Sequence, residues 1–306
     1  MAGLPRLGDR LDGRGLRTPH NHGMTLERVI GTRYVVPLRE GGSLPAVVET
    51  VQADAVSPGG AFVVKFQGAG QGAKALVAEA IVAGLGQALD LPVPRPAIVL
   101  IEEGFGNAEP DPEIQDILQG SIGENFGLAY LSGALAFDPA ADAAGVDPDL
   151  AAAIVWLDAL TTNVDRTPRN TNMLLWQQRL WLIDHGAALY LHHRWEGWES
   201  RIQSPFPQIK DHVLLGLASD LEAADARLRP RLTDDVLHQM IDDLPDAWLG
   251  GEPLFPTLDE HRQAYVTYLR ERLHGPRRWL QEAIDAQSRG PERLAVRQTH
   301  RYDVDE

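Results

Sequence analysis

Four short segments of this chain carry polar residues of the kinds, and at the spacings, that phosphoryl transfer from a nucleotide requires. The first is Glu40-Gly41-Gly42-Ser43, between two strand-like runs. Bare backbone at Gly41 and Gly42, with Ser43 beside it, lets amides approach phosphate oxygens, although Gly-Gly between strands also makes a plain hairpin. The second is Lys65, the only charge in the apolar run FVVKF. Burying a lysine is costly unless an anion meets it, and Glu79 stands in the following helical segment beside the stripe of Leu76, Ala80 and Ala83. Paired, the two would aim the ammonium at phosphates; unpaired, they would be a solvated edge lysine and a surface glutamate.

The third segment is Asn163-Val164-Asp165-Arg166-Thr167-Pro168-Arg169-Asn170. Asp165 followed five residues later by Asn170 lets a carboxylate orient an attacking hydroxyl while an amide holds a metal beside the transferring phosphate; a polar turn with Asx caps uses the same residues. The fourth is Leu182-Ile183-Asp184-His185-Gly186, a carboxylate ending an apolar run. Oxygen ligands from Asp184 and Asn170 suit magnesium, whose shell is completed by waters and nucleotide phosphates, and a simple strand-end turn is the alternative. His185, His192 and His193 invite comparison with a metal cluster, but adjacent histidines on a strand would point to opposite faces.

The elements that must position these groups change character along the chain. RYVVPL, AVVETV and AFVVKF read as three successive antiparallel strands, AKALVAEAIVAGLGQAL as a helix over residues 73–89, and AIVLIEE as another strand. Residues 104–124 form a polar insertion with a helical turn or two, and FGLAYL, ending at Leu131, is a fifth strand. PDLAAAIVWLDALTTN carries Leu150, Ile154, Leu157 and Leu160 at helical spacing behind Pro148 and Asp149, so a buried helix delivers the third segment. NMLLWQQRLWLID reads as two short strands turning at Gln177 and Gln178, and residues 207–286 as helices broken by Pro and Gly. The spacing predicts an α+β molecule with four parts: a mobile extension (1–23), a β-rich part with one main helix (24–133), a larger helical part (134–288) and a charged tail (289–306). Trp156, Trp176, Trp181, Trp195 and Trp198 are expected as packing residues.

Composition narrows the classes of function. With 28 Lys and Arg against 43 Asp and Glu, the net charge of -15 repels nucleic acid and anionic lipid, so neither is an expected partner. The absence of cysteine from all 306 residues excludes disulfides, thiolate zinc sites, iron-sulfur clusters and a cysteine nucleophile. No signal peptide or apolar run of membrane-spanning length stands in the sequence, and a cytoplasmic location is expected.

Taken together in this order, the segments resemble the protein-kinase-like superfamily and, within it, the HipA-like kinases of bacterial toxin systems. FVVKF resembles the lysine strand, AEAIVAGLGQALDLPVP the glutamate helix and the proline element after it, and NVDRTPRN and LIDHG the catalytic loop and metal segment. The resemblance implies a bilobal kinase-like fold that binds ATP between its lobes and transfers phosphate to a hydroxyl of a serine/threonine protein substrate. It implies Asp165 as catalytic carboxylate, Asn170 and Asp184 as magnesium ligands, Lys65 with Glu79 on the nucleotide phosphates, and Gly41, Gly42, Ser43 and Leu131 around the nucleotide. It also suggests Ser43 as a site of self-phosphorylation. His185 stands where eukaryotic kinases carry phenylalanine, no His-Arg pair precedes Asp165, and Asn172 is a second amide available to a metal. Two other readings remain: a small-molecule kinase of the aminoglycoside-phosphotransferase type, and a catalytically silent nucleotide-binding switch.

Overall fold

The computed structural model describes residues 26–38, 44–70, 72–107 and 109–290. The alternating apolar runs of the first half form β1 (Glu27–Pro37), β2 (Ala46–Gln52), β3 (Pro58–Lys65), β4 (Pro96–Ile101) and β5 (Gly123–Ala129), with α1 (Gly72–Ala88) after β3 and α2 (Pro112–Gln119) inside the polar insertion. The five strands close into a barrel in the order β1-β2-β3-β5-β4. Closure follows from the length of β1, which starts at Glu27 rather than Arg33. Its first residues, Glu27 to Ile30, pair in parallel with Ala97 to Leu100 of β4 while its other edge pairs with β2. Irregular register at Gly31/Arg33 and Tyr34/Val36 marks bulges, which increase local twist and bend a strand around a barrel. Val29, Val48, Phe62, Val64, Val99 and Ile101 fill the interior.

The helix α1 corrects a single-faced expectation: every residue from Ala75 to Gly86 is buried. Its second side packs into the same core as the helices of the other half. Those elements are β6 (Leu135–Ala136), α3 (Pro139–Asp142), α4 (Pro148–Thr161), β7 (Met173–Trp176), β8 (Arg179–Leu182), α5 (Trp198–Arg201), α6 (Leu221–Leu228), α7 (Asp234–Asp242), α8 (Asp246–Leu249), α9 (Leu258–His274) and α10 (Arg278–Arg289). β6, β7 and β8 form a separate sheet, and the β7–β8 turn falls on Gln177 and Gln178, both left-handed (φ 50 and 61), as a two-residue hairpin requires. α4 starts on Pro148, with the Asp147 side chain accepting from Asp149 N. α10 runs to Arg289, the first residue of the expected tail. Residues 291–306 of the tail and the extension 1–23 lie outside the described residues. Among the described residues no helix is long and apolar enough to cross a membrane.

Candidate active site

Lys65 closes β3, with a side chain 11% exposed, and Glu79 lies at the middle of α1 with none. Lys65 Nζ donates both to Glu79 Oε1 and to Asp184 Oδ1. Burial alone would drive the proton off Lys65, but Glu79 and Asp184 outweigh it and hold the ammonium charged well above its usual range. Asp184 stands just beyond β8 in a left-handed conformation (φ 54), and Asn172, just before β7, is left-handed too (φ 49). Such conformations cost an ordinary residue about 1–2 kcal/mol and gather where geometry serves a site. Ile183 N donates to Asn172 O (3.0 Å), pinning the two turns together.

The loop after α4 supplies the other half. Thr162 ends α4 in the left-handed region, and the Asn163 side chain accepts from Asp165 N (3.1 Å), an Asx turn of the kind the sequence allowed. Asp165 Oδ2 accepts from Asn170 Nδ2 (2.8 Å) and from Asn172 Nδ2 (3.4 Å), which also donates to Asp184 O (3.4 Å). Glu79, Lys65, Asp184, Asn172, Asp165 and Asn170 thus form one unbroken line of polar contacts drawn from four separate segments. Both amides spend their nitrogens on Asp165, leaving their oxygens without protein partners among the described residues. Those oxygens and the Asp184 carboxylate, 42% exposed, are the hard donors magnesium takes.

Behind this line lies a carboxylate the sequence reading missed. Asp158, on the last turn of α4, is fully buried and accepts from Asn163 Nδ2 (3.0 Å), Arg166 Nε (2.6 Å) and His212 Nε2 (2.9 Å). Burial would raise its pKa, yet the charge of Arg166 and the His212 hydrogen bond hold it well below the usual carboxylate range. His212 Nδ1 accepts from Leu214 N (3.1 Å), so in the neutral ring the proton sits on Nε2, facing Asp158. His185 is buried beside Arg166 (Nη2 to Nδ1, 3.2 Å), and burial together with the Arg166 charge pulls its pKa down to about 3. The signal for Asp158 was the same as for Lys65: one charge in an apolar run, here IVWLDAL.

Other expected positions are not in the line. Gly41, Gly42 and Ser43 lie outside the described residues. Leu131 sits half-buried on the link between β5 and β6, its carbonyl accepting from Ala134 N (3.1 Å), and among the described residues no hydrogen bond joins it to Asp165 or Lys65. The histidines depart from the expected strand. His192 and His193 sit on a 3-10 turn, Tyr190–His193, with ring centroids 4.7 Å apart, so strand alternation does not separate them. His192 bonds Tyr265 instead (3.1 Å), and among the described residues no three His, Asp or Glu side chains are placed to hold a metal. Trp156, Trp195 and Trp198 are buried in the core, while Trp176 and Trp181 pack edge to face at 5.7 Å on the small sheet.

A family model described as HipA-like kinase matches residues 55–274, which span both the lysine strand and the loop of Asp165. Among solved structures, the chain is similar to the Helicobacter pylori proinflammatory kinase CtkA at 13% identity and a TM-score of 0.51, covering 86% of this chain and 98% of that one. No curated protein matches. With the family model spanning well over half of its length, the chain belongs to the HipA-like kinase family.

Proposed function

For this member of the HipA-like kinase family we propose an ATP- and magnesium-dependent phosphotransferase, a serine/threonine protein kinase acting in the cytoplasm. The nucleotide lies between a β-rich lobe ending near residue 133 and the helical lobe after it, against Gly41, Gly42, Ser43 and Leu131. The observation that carries this reading is the unbroken line from Glu79 to Asn170, because it sets a fixed cation and a carboxylate base into one contact network. Lys65, oriented by Glu79, holds the ATP phosphates. Asp165 orients the acceptor hydroxyl. The bond from the γ-phosphorus to its bridging oxygen breaks, a bond to the acceptor oxygen forms, and the acceptor proton passes to Asp165. Asp184 and Asn170, with Asn172 as a second amide, would hold magnesium, which when bound would supply positive charge against the phosphate oxygens.

Incubation of the protein with γ-labelled ATP, magnesium and a bacterial lysate tests the reading. Label on a serine or threonine of a protein supports it. Label confined to a small molecule would turn the assignment to the aminoglycoside-phosphotransferase type, and nucleotide binding with neither label nor ADP release would leave a silent switch.

A further inference from the structure

Arg166 directly follows Asp165, and its side chain has no exposed surface. Its donors reach three parts of the site at once. Nε binds Asp158 at the end of α4 (2.6 Å), Nη1 binds the carbonyls of Asn172 and Ile183 (3.5 Å to Ile183), and Nη2 meets His185 Nδ1 (3.2 Å). Its own carbonyl accepts from Val213 N (3.0 Å), next to the His212 that also holds Asp158. Asn172 is itself left-handed and Ile183 directly precedes the left-handed Asp184, so these two carbonyls lie where the Asn172 amide and the Asp184 carboxylate are presented. A planar guanidinium fixes the directions of all its donors, which a flexible ammonium does not.

We propose that Arg166 is a positioning residue that sets the spacing between Asp165 and Asp184. Its anchor is the internal carboxylate Asp158, so the loop is held without any added phosphate on a neighbouring segment. The role rests on the phosphotransferase reading above and acts through Asn172 and Asp184, not through contact with ATP. A displacement on the order of 1 Å between Asp165 and Asp184 lowers turnover about a hundredfold, and loosening the support of a metal ligand weakens metal affinity about tenfold or more.

The test is ADP release by the full chain under varied ATP and magnesium, with a thermal melt of each variant. For Arg166→Lys we expect kcat to fall about a hundredfold and the half-saturating magnesium concentration to rise about tenfold, with KM for ATP at saturating magnesium within about threefold. A purely structural arginine would lower the melting temperature but leave kcat per folded molecule and the magnesium requirement alone; that result overturns the proposal. Should Arg166→Lys not fold, His212→Asn, which loosens Asp158 and keeps the guanidinium, is read in its place. Shifts of both parameters in the same directions by about threefold support the role, and unchanged values overturn it. Asp165→Asn is measured alongside. Its inactivity beside an intact Arg166→Lys removes this inference alone, whereas absence of ADP release from the wild-type chain removes the phosphotransferase reading and this role with it.

Discussion

Lys65 on β3 and Asp158 on α4 are the same kind of residue, each a lone charge in an apolar run that the fold buries and surrounds with partners. Lys65 faces Glu79 and Asp184, and if Glu79 orients the ammonium, removing either partner breaks one shared interaction. Lys65→Met and Glu79→Gln should each reduce turnover at least tenfold, and the double variant should lose clearly less than the product of the two, by a coupling of about 1–3 kcal/mol. Fully multiplicative losses in folded proteins would show that the pair has no joint role. Asp158 has three donors around one buried carboxylate. Asp158→Asn leaves Arg166 charged and buried without its anion, so stability should drop by about 3–5 kcal/mol in chemical denaturation; a loss under about 1 kcal/mol would contradict the network. At this scale the sequence is readable where a charge interrupts an apolar run. Lys65, Glu79, Asp165 and Asp184 were legible from that and from spacing. Arg166 was not, because its partners Asn172, Ile183 and His212 come from separate segments and only the fold brings them together.

At the scale of elements, the same limit explains what was legible. Local periodicity shows that β3, α1, α4 and the β7–β8 hairpin exist, because their apolar spacing and turn residues are written consecutively. Barrel closure is invisible to that reading, since it depends on Glu27 to Ile30 meeting Ala97 to Leu100. The burial of α1 on all sides is likewise a tertiary fact, although Gly84 and Gly86 hint at it. A Cβ at Gly86 would come within 2.6 Å of Val93 Cγ2, and one at Gly84 within 2.7 Å of the Met240 sulfur. Val93 is β-branched and stiff, while methionine is flexible. Gly86→Val should therefore destabilise the protein by about 1–3 kcal/mol despite leaving the helix pattern unchanged, and Gly84→Ala should cost less. A thermal melt of both variants decides it; equal and negligible effects would mean that α1 is free to shift away from its neighbours.

For the molecule as a whole, burial of neutral histidines links folding to acidity. Burial and the Arg166 charge lower the pKa of His185 to about 3, and burial beside His193 and Lys74 lowers that of His192 well below its ordinary value. The unfolded chain binds protons on these rings near pH 6.5 while the folded chain does not, so ν for the unfolded state is larger and stability rises with pH. The contribution is complete above about pH 6.5 and is lost as the pH falls toward the folded values, at up to about 1.4 kcal/mol per pH unit for each ring. His185→Gln should flatten part of this slope in melts taken between about pH 4 and 7; an unchanged slope would mean that the ring is charged in the folded state. The proposed phosphoryl transfer runs along one contact line, from Glu79 to Asn170. Its most direct test is ADP release and ATP binding by the wild-type chain and Asp165→Asn, side by side with magnesium. Turnover is expected in the wild type, a loss of about a hundredfold or more in Asp165→Asn, and ATP binding by both within about threefold. Equal turnover by the two folded proteins would contradict it.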